Sequence, residues 1–299
     1  MMNHSDLRGM FPAIPTPLTE EGELDVAKLE ALIEANLAGG AKGIAPVGGT
    51  GEFTALSSKI RLDVVRETVR LVNGRVRVVA GVVSPGWAEA IEHGLAFKEA
   101  GADALLLVTP FYVIPSQDGV IDYFRAYRKT VDLPLVYYDV PARTGFVSKV
   151  NTLKTLGEDG TIIGAKICNT DAYYFQRLAA AVGDKIALLS GDDMMYATHI
   201  MYGGTGGILA SAPMLPDYWT RIHDTLSAGN IAEGIALHRK LLPTFEALFN
   251  EVNPGPLKSM MARLGQPVGP VSLPLKEPSE ETERLIIAAI EGLRAEGIA

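Results

Sequence analysis

The feature that most constrains this chain is an alternation of eight short aliphatic or β-branched runs with longer amphipathic stretches. The runs cover residues 12–15, 43–47, 76–82, 104–109, 135–138, 162–167, 186–189 and 206–209, and the stretches between them begin near Asp25, Ser57, Trp87, Asp118, Lys149, Asp171 and Asp193. A run that is apolar at nearly every position, rather than at every second one, is covered on both faces, as in a parallel sheet. Eight such runs separated by helices predict a closed α/β structure, the (β/α)8 TIM barrel. The competing open, doubly wound sheet commonly carries a G-x-G-x-x-G turn after its first strand, and residues 11–19 contain none. Beyond residue 229 the strand signal stops. Residues 230–250 and 279–296 read as helices on either side of Asn253-Pro254-Gly255-Pro256, with Ser279 as an N-cap before an acidic first turn. The expected organisation is a barrel over 1–229 that carries the functional site, and a helical extension over 230–299.

With 299 residues, 47% of them hydrophobic, the chain has enough apolar material for a large core. Its net charge is −8 and no Lys/Arg run forms a basic stripe, which argues against nucleic acid as a partner. An acidic protein can still bind an acidic small molecule, through a local arginine or a ring of backbone N–H groups. The apolar runs are too short to span a bilayer. The single cysteine, Cys168, allows no intrachain disulfide. The expectation is a cytoplasmic enzyme with no membrane contact. The five histidines are scattered without metal-ligand spacing. Asp192-Asp193 reads more simply as a helix N-cap than as a cation site. Neither a metal nor a cofactor is expected.

In such a barrel, chemistry collects where strands end, and four places there stand out. Lys166 closes the run Ile162-Ile163-Gly164-Ala165-Lys166. A buried lysine is costly as a cation, and burial alone lowers its pKa from about 10.4, which makes the amine nucleophilic toward a ketone. The bland alternative is a lysine at the strand mouth paired with a carboxylate such as Asp192. Tyr138, at the end of the preceding strand, falls beside Lys166 and could pass protons to and from a carbinolamine, or could simply pack by its ring. Arg143, five residues on, could grip a carboxylate bidentately or form a surface salt bridge. The glycine-rich Val47-Gly48-Gly49-Thr50-Gly51-Glu52 lacks the Gly-Lys-Ser/Thr of a nucleotide loop, so it reads as a carboxylate cradle or as a tight turn. Tyr112, in Thr109-Pro110-Phe111-Tyr112, is either a relay hydroxyl or loop packing.

Taken in order, these segments resemble the dihydrodipicolinate synthase / N-acetylneuraminate lyase family of class I aldolases. The matching pieces are Pro12-Ala13-Ile14-Pro15-Thr16-Pro17, Gly49-Thr50-Gly51-Glu52, Thr109-Pro110-Phe111-Tyr112, Tyr138 with residues 141–145, Gly164 with Lys166, Gly191-Asp192-Asp193, Gly203-Gly204-x-Gly206 and Asn253-Pro254-x-Pro256. The resemblance implies that Lys166 forms a Schiff base with pyruvate and that Tyr138 shuttles the protons. It implies that Thr50 and its neighbour Gly49 hold the pyruvate carboxylate, and that Ile208 lines the pocket. By the same resemblance Tyr112 reaches across a dimer interface, Arg143 receives the carboxylate of an aldehyde, and the assembly is a homotetramer of tight dimers.

The segment Pro141-Ala142-Arg143-Thr144-Gly145 looks like the synthase branch, which condenses pyruvate with aspartate semialdehyde in lysine biosynthesis. Four departures mark this chain: Gly49 where a threonine is usual, Asp139 for an asparagine, Ile167-Cys168 after the lysine, and Pro85 where lysine-inhibited synthases carry asparagine. These departures keep two other readings open. One is a 2-keto-3-deoxy sugar-acid aldolase or dehydratase of the same family. The other is a catalytically inactive keto-acid sensor.

Overall fold

The computed structural model describes residues 2–299; position 1 of the expected barrel unit lies outside the described residues. In chain order the elements are β1 (Gly9–Met10), α1 (Val26–Ala38), β2 (Gly43–Ile44), α2 (Ser58–Val72), β3 (Arg77–Val82), α3 (Trp87–Glu99), β4 (Ala104–Val108) and α4 (Gln117–Val131). There follow β5 (Leu135–Asp139), α5 (Pro141–Thr144), α6 (Val150–Glu158), β6 (Gly164–Ile167), α7 (Ala172–Val182), β7 (Ala187–Ser190), α8 (Tyr196–Met201) and β8 (Gly206–Gly207). The chain ends with α9 (Pro216–Ser227), α10 (Ile231–Arg239), α11 (Leu242–Phe249), α12 (Gly255–Arg263) and α13 (Glu280–Ala295).

The strands are all parallel and pair in the order β1-β8-β7-β6-β5-β4-β3-β2. Single backbone bonds close the seam between β1 and β2: Lys42 N to Met10 O (2.8 Å), Ala45 N to Pro12 O (3.0 Å) and Ile14 N to Ala45 O (3.2 Å). The expected first strand at 12–15 is thus displaced. Prolines at 12, 15 and 17 lack the N–H groups that a regular ladder needs, so the laddered part retreats to Gly9–Met10.

The apolar runs are continuous because both strand faces are buried. On β4 and β5, Leu106, Val108, Val136 and Tyr138 point into the barrel with Ile208, whereas Leu105, Leu107, Leu135 and Tyr137 pack under the helices. Asp25, Ser57, Ser116, Asp171 and Ser279 cap their helices through their side chains, as short polar residues do at about 1 kcal/mol each.

Two further expectations need correction. Asp193 does not cap a helix. Asp192 Oδ1 takes the N–H of Met195 (2.9 Å), α8 begins at Tyr196, and the Asp193 carboxylate turns inward to Ser211 N (2.9 Å) and Ser211 Oγ (2.5 Å). The stretch 230–250 is two helices rather than one. Pro243 has no N–H to give an ongoing helix and instead starts α11 in its first turn. The extension is not a detached lobe: Ile44 and Val78 of the barrel share one apolar cluster with Trp219, Phe245, Leu257 and Ile286. Among the described residues no helix is long and apolar enough to cross a membrane.

Candidate active site

Tyr138 and Lys166 occupy the second-to-last positions of β5 and β6 and are direct partners in the parallel register. The Lys166 Nζ lies 4.4 Å from the centroid of the Tyr138 ring, and both side chains are buried. The lysine fits only because residue 191 is a glycine. A Cβ there would come within 2.8 Å of Lys166 Cγ and Cε and would also collide with Cys168 Sγ. The alternative ion pair with Asp192 is not formed, and Asp192 Oδ1 instead takes the N–H of Met195 in the turn before α8.

The charge state of this pair differs from what burial alone predicts. Desolvation pushes the Lys166 amine down, but the facing Tyr138, then Cys168 and Asp193, pull it up, and the net direction is up. Burial also raises the Tyr138 phenol, although Lys166 and Arg143 draw it down, and it raises the Cys168 thiol to about 11.

Above them opens a cavity of about 300 Å³ lined by Gly49, Tyr138 and Arg143 together with apolar groups such as Phe53, Val108 and Phe111. Gly49 sits between the two polar side chains. A Cβ on it would lie 3.7 Å from both Tyr138 Oη and Arg143 Nη1, ordinary contact distances, so the fold itself does not demand glycine there. Gly51 is the opposite case, since its Cβ would press to 2.8 Å on the backbone of Val47. The turn carrying these glycines starts at Val47 (φ 50) and ends at Glu52 (φ 58), two non-glycine residues in the left-handed region. A β-branched residue is seldom found there and persists only where its surroundings hold it.

Of the residues singled out from the sequence, Gly49, Tyr138 and Arg143 line the cavity, and Lys166 adjoins it through Tyr138. Thr50 and Ile208 are buried beneath, Ile208 in the same interior cluster as Tyr138. Tyr112 stands apart, 93% exposed with φ 72, beside the exposed Val113 and Ile114. Asp139 faces away from the cavity, as strand alternation requires after Tyr138. Its Oδ1 accepts from Ser148 Oγ (2.7 Å), and Ser148 Oγ also meets Tyr137 Oη (2.8 Å).

Sequence reasoning missed the groups behind the cradle. Asn253 Nδ2 donates to Thr50 Oγ1 (2.9 Å), and Lys258 Nζ pairs with Glu52 Oε1 (2.6 Å) with both side chains almost fully buried. The signal for Lys258 is a lone charge among Pro256, Leu257, Met260 and Met261, and Asn253 opens the Asn253-Pro254-x-Pro256 motif.

A parallel (β/α)8 barrel that sets a buried lysine beside a tyrosine at the ends of adjacent strands, under a cavity edged by arginine, defines a lyase of the class I aldolase type. More specifically, the chain belongs to the dihydrodipicolinate synthetase family, whose model matches residues 6–292. It is 34% identical over 291 residues to the 4-hydroxy-tetrahydrodipicolinate synthase of Shewanella piezotolerans, covering 97% of this chain and 99% of the relative. It is 35% identical to the synthase of the same name from Sorangium cellulosum, covering 98% of each. Among solved structures, the chloride-inhibited dihydrodipicolinate synthase from Acinetobacter baumannii complexed with pyruvate superposes with a TM-score of 0.93 at 32% identity, over 98% of this chain and all of that one. A monomeric dihydrodipicolinate synthase variant gives 0.94 at 28% identity over 99% of both chains.

Proposed function

We propose that this protein is a 4-hydroxy-tetrahydrodipicolinate synthase-like enzyme that condenses pyruvate with aspartate semialdehyde through a Schiff base on Lys166. The observation that carries the reading is the pairing of Lys166 with Tyr138 beside a cavity that also offers an arginine. Two further points support it: the synthases at about 35% identity over nearly the full chain, and a relative of the same fold that has been captured with pyruvate.

In this reading the Lys166 amine, once its proton has left, attacks the ketone carbon of pyruvate to give a carbinolamine. Tyr138 donates a proton to the departing hydroxyl, which leaves as water, and the imine forms. The Tyr138 phenolate left by that donation takes up a methyl proton, and the electron pair moves to the protonated imine nitrogen to give the enamine. The enamine carbon then attacks the aldehyde, whose oxygen takes up a proton. Thr50 and the N–H groups at Gly49–Thr50 hold the keto-acid carboxylate, Ile208 packs against the keto acid, and Arg143 receives the carboxylate of the aldehyde. Lys166 itself supplies the electron sink that a metal or cofactor would otherwise provide.

Tyr112 completes the site in a partner subunit. A tyrosine that is 93% exposed in a left-handed conformation, next to exposed Val113 and Ile114, is an apolar surface that a second copy would cover. The assembly proposed is a homotetramer built from such dimers, in the cytoplasm. Sedimentation of Tyr112→Ala and Ile114→Asp variants tests the interface.

A second reading, a 2-keto-3-deoxy sugar-acid aldolase or dehydratase, is favoured by one observation: the room left at Gly49 between Tyr138 and Arg143, which could seat a substrate hydroxyl. Turnover of pyruvate plus aspartate semialdehyde, measured against cleavage and dehydration of keto-deoxy acids, separates the two. The synthase reading expects the semialdehyde to give the higher kcat/KM, and negligible turnover with it would reject that reading.

A further inference from the structure

The C-terminal extension is wired into the cradle turn by buried polar contacts. Asn253 Nδ2 donates to Thr50 Oγ1 (2.9 Å). Glu52 meets Lys258 through Oε1 (2.6 Å) and receives the N–H of Ser272 at Oε2 (2.6 Å). Lys258 Nζ also donates to the carbonyls of Thr16 (2.8 Å) and Pro270 (2.6 Å). From the barrel side, Thr16 Oγ1 donates to Gly51 O (2.8 Å). A turn whose Val47 and Glu52 both sit at positive φ is thereby pinned at its end and near its middle.

The direction of the Asn253 bond matters as much as its presence. A threonine hydroxyl carries one proton and two acceptor sites. The amide of Asn253 engages an acceptor site, so the hydroxyl proton is left to point elsewhere. Gly51 O, on the same turn, already receives the Thr16 hydroxyl. We infer that Asn253, from the C-terminal extension, is a positioning residue that fixes the Thr50 hydroxyl as a donor toward the carboxylate of the keto acid, with the Lys258–Glu52 pair holding the turn in place. This rests on the reading of Thr50 as a carboxylate contact. It adds that anion recognition in the barrel depends on a residue outside it. An aspartate at 253 has nearly the same shape with the opposite hydrogen-bonding sense. It would take the Thr50 proton for itself and place a negative charge next to the anion site.

The test is the pyruvate concentration that half-saturates borohydride trapping, which needs no second substrate, in the full-length protein. Asn253→Asp is expected to raise it about 10- to 100-fold, the range of a charge-assisted hydrogen bond lost. The plateau yield of adduct should stay near that of the wild type, a split that general loosening of the fold does not produce. Asn253→Ala is expected to raise it by a smaller factor, and to have no further effect once Thr50→Val has removed the hydroxyl. The inference is overturned if Asn253→Asp half-saturates within twofold of the wild type, or if Asn253→Ala costs the same factor with and without Thr50. Should Asn253→Asp not fold, the Asn253→Ala and Thr50→Val cycle still decides. If the wild type yields no adduct at all, it is the Schiff-base reading that fails.

Discussion

Replacing Asp139 by asparagine should stabilise the protein, and by an amount that grows with pH. The carboxyl sits at the end of β5, 1% exposed, and burial pushes its pKa up to about 6 in spite of the hydrogen bonds from Ser148. Its Oδ2 is buried without a partner. In the unfolded chain the group titrates near 3.8. Between these two values the folded state binds more protons than the unfolded state, so stability falls as pH rises through this window and levels off above pH 6. The shift of about 2.2 units, at 1.36 kcal/mol per unit, corresponds to about 3 kcal/mol at pH 8 and about 1.6 kcal/mol at pH 5. Asparagine keeps an acceptor for Ser148 and carries no charge. The assay is thermal or urea unfolding of wild type and Asp139→Asn from pH 5 to 8. The variant should gain about 1.4 kcal/mol on the wild type across that range, a widening gap of several degrees in Tm. A gap that stays constant or narrows as pH rises would refute the idea that a strained, buried carboxyl sits there.

Three other substitutions probe the site. Arg143→Ala should lower kcat/KM for the carboxylate-bearing aldehyde about 10- to 100-fold while leaving the half-saturating pyruvate of borohydride trapping unchanged, because a charge-assisted contact to one substrate alone is lost; parallel changes in both would place Arg143 elsewhere in the mechanism. Gly49→Ala should fold with a Tm close to the wild type, since a Cβ there meets nothing nearer than 3.7 Å, and it should shift the preference away from bulkier hydroxylated aldehydes in a competition assay. Lys258→Met leaves Glu52 as an unpaired buried charge and should cost about 3–5 kcal/mol in unfolding measurements, a loss that Lys258→Met with Glu52→Gln should partly restore.

Much of this molecule was legible in its sequence because the strands are buried on both faces. Their apolar runs stand out against the helices, and Tyr138 and Lys166 fall one residue before the ends of β5 and β6, as partners in the register. What misled was proline chemistry at both ends of the chain: Pro12 and Pro15 shorten the first strand to Gly9–Met10, and Pro243 divides a helix that periodicity alone joins. Asp193 resembled a cap because capping is local, whereas its real partner Ser211 lies 18 residues on, across β8. The Lys258–Glu52 and Asn253–Thr50 contacts bridge about 200 positions, a separation that no local pattern reports. The amine of Lys166 could not be read either, since its shift is the balance of burial against Tyr138, Cys168 and Asp193.

The most direct test of the account is to incubate the protein with pyruvate, reduce with borohydride and map the modified peptide. The account predicts a single adduct on Lys166. Because only the free amine attacks a ketone, trapping should also quicken as pH rises from 6 to 9. An adduct on another lysine, or none with the intact protein, would contradict it.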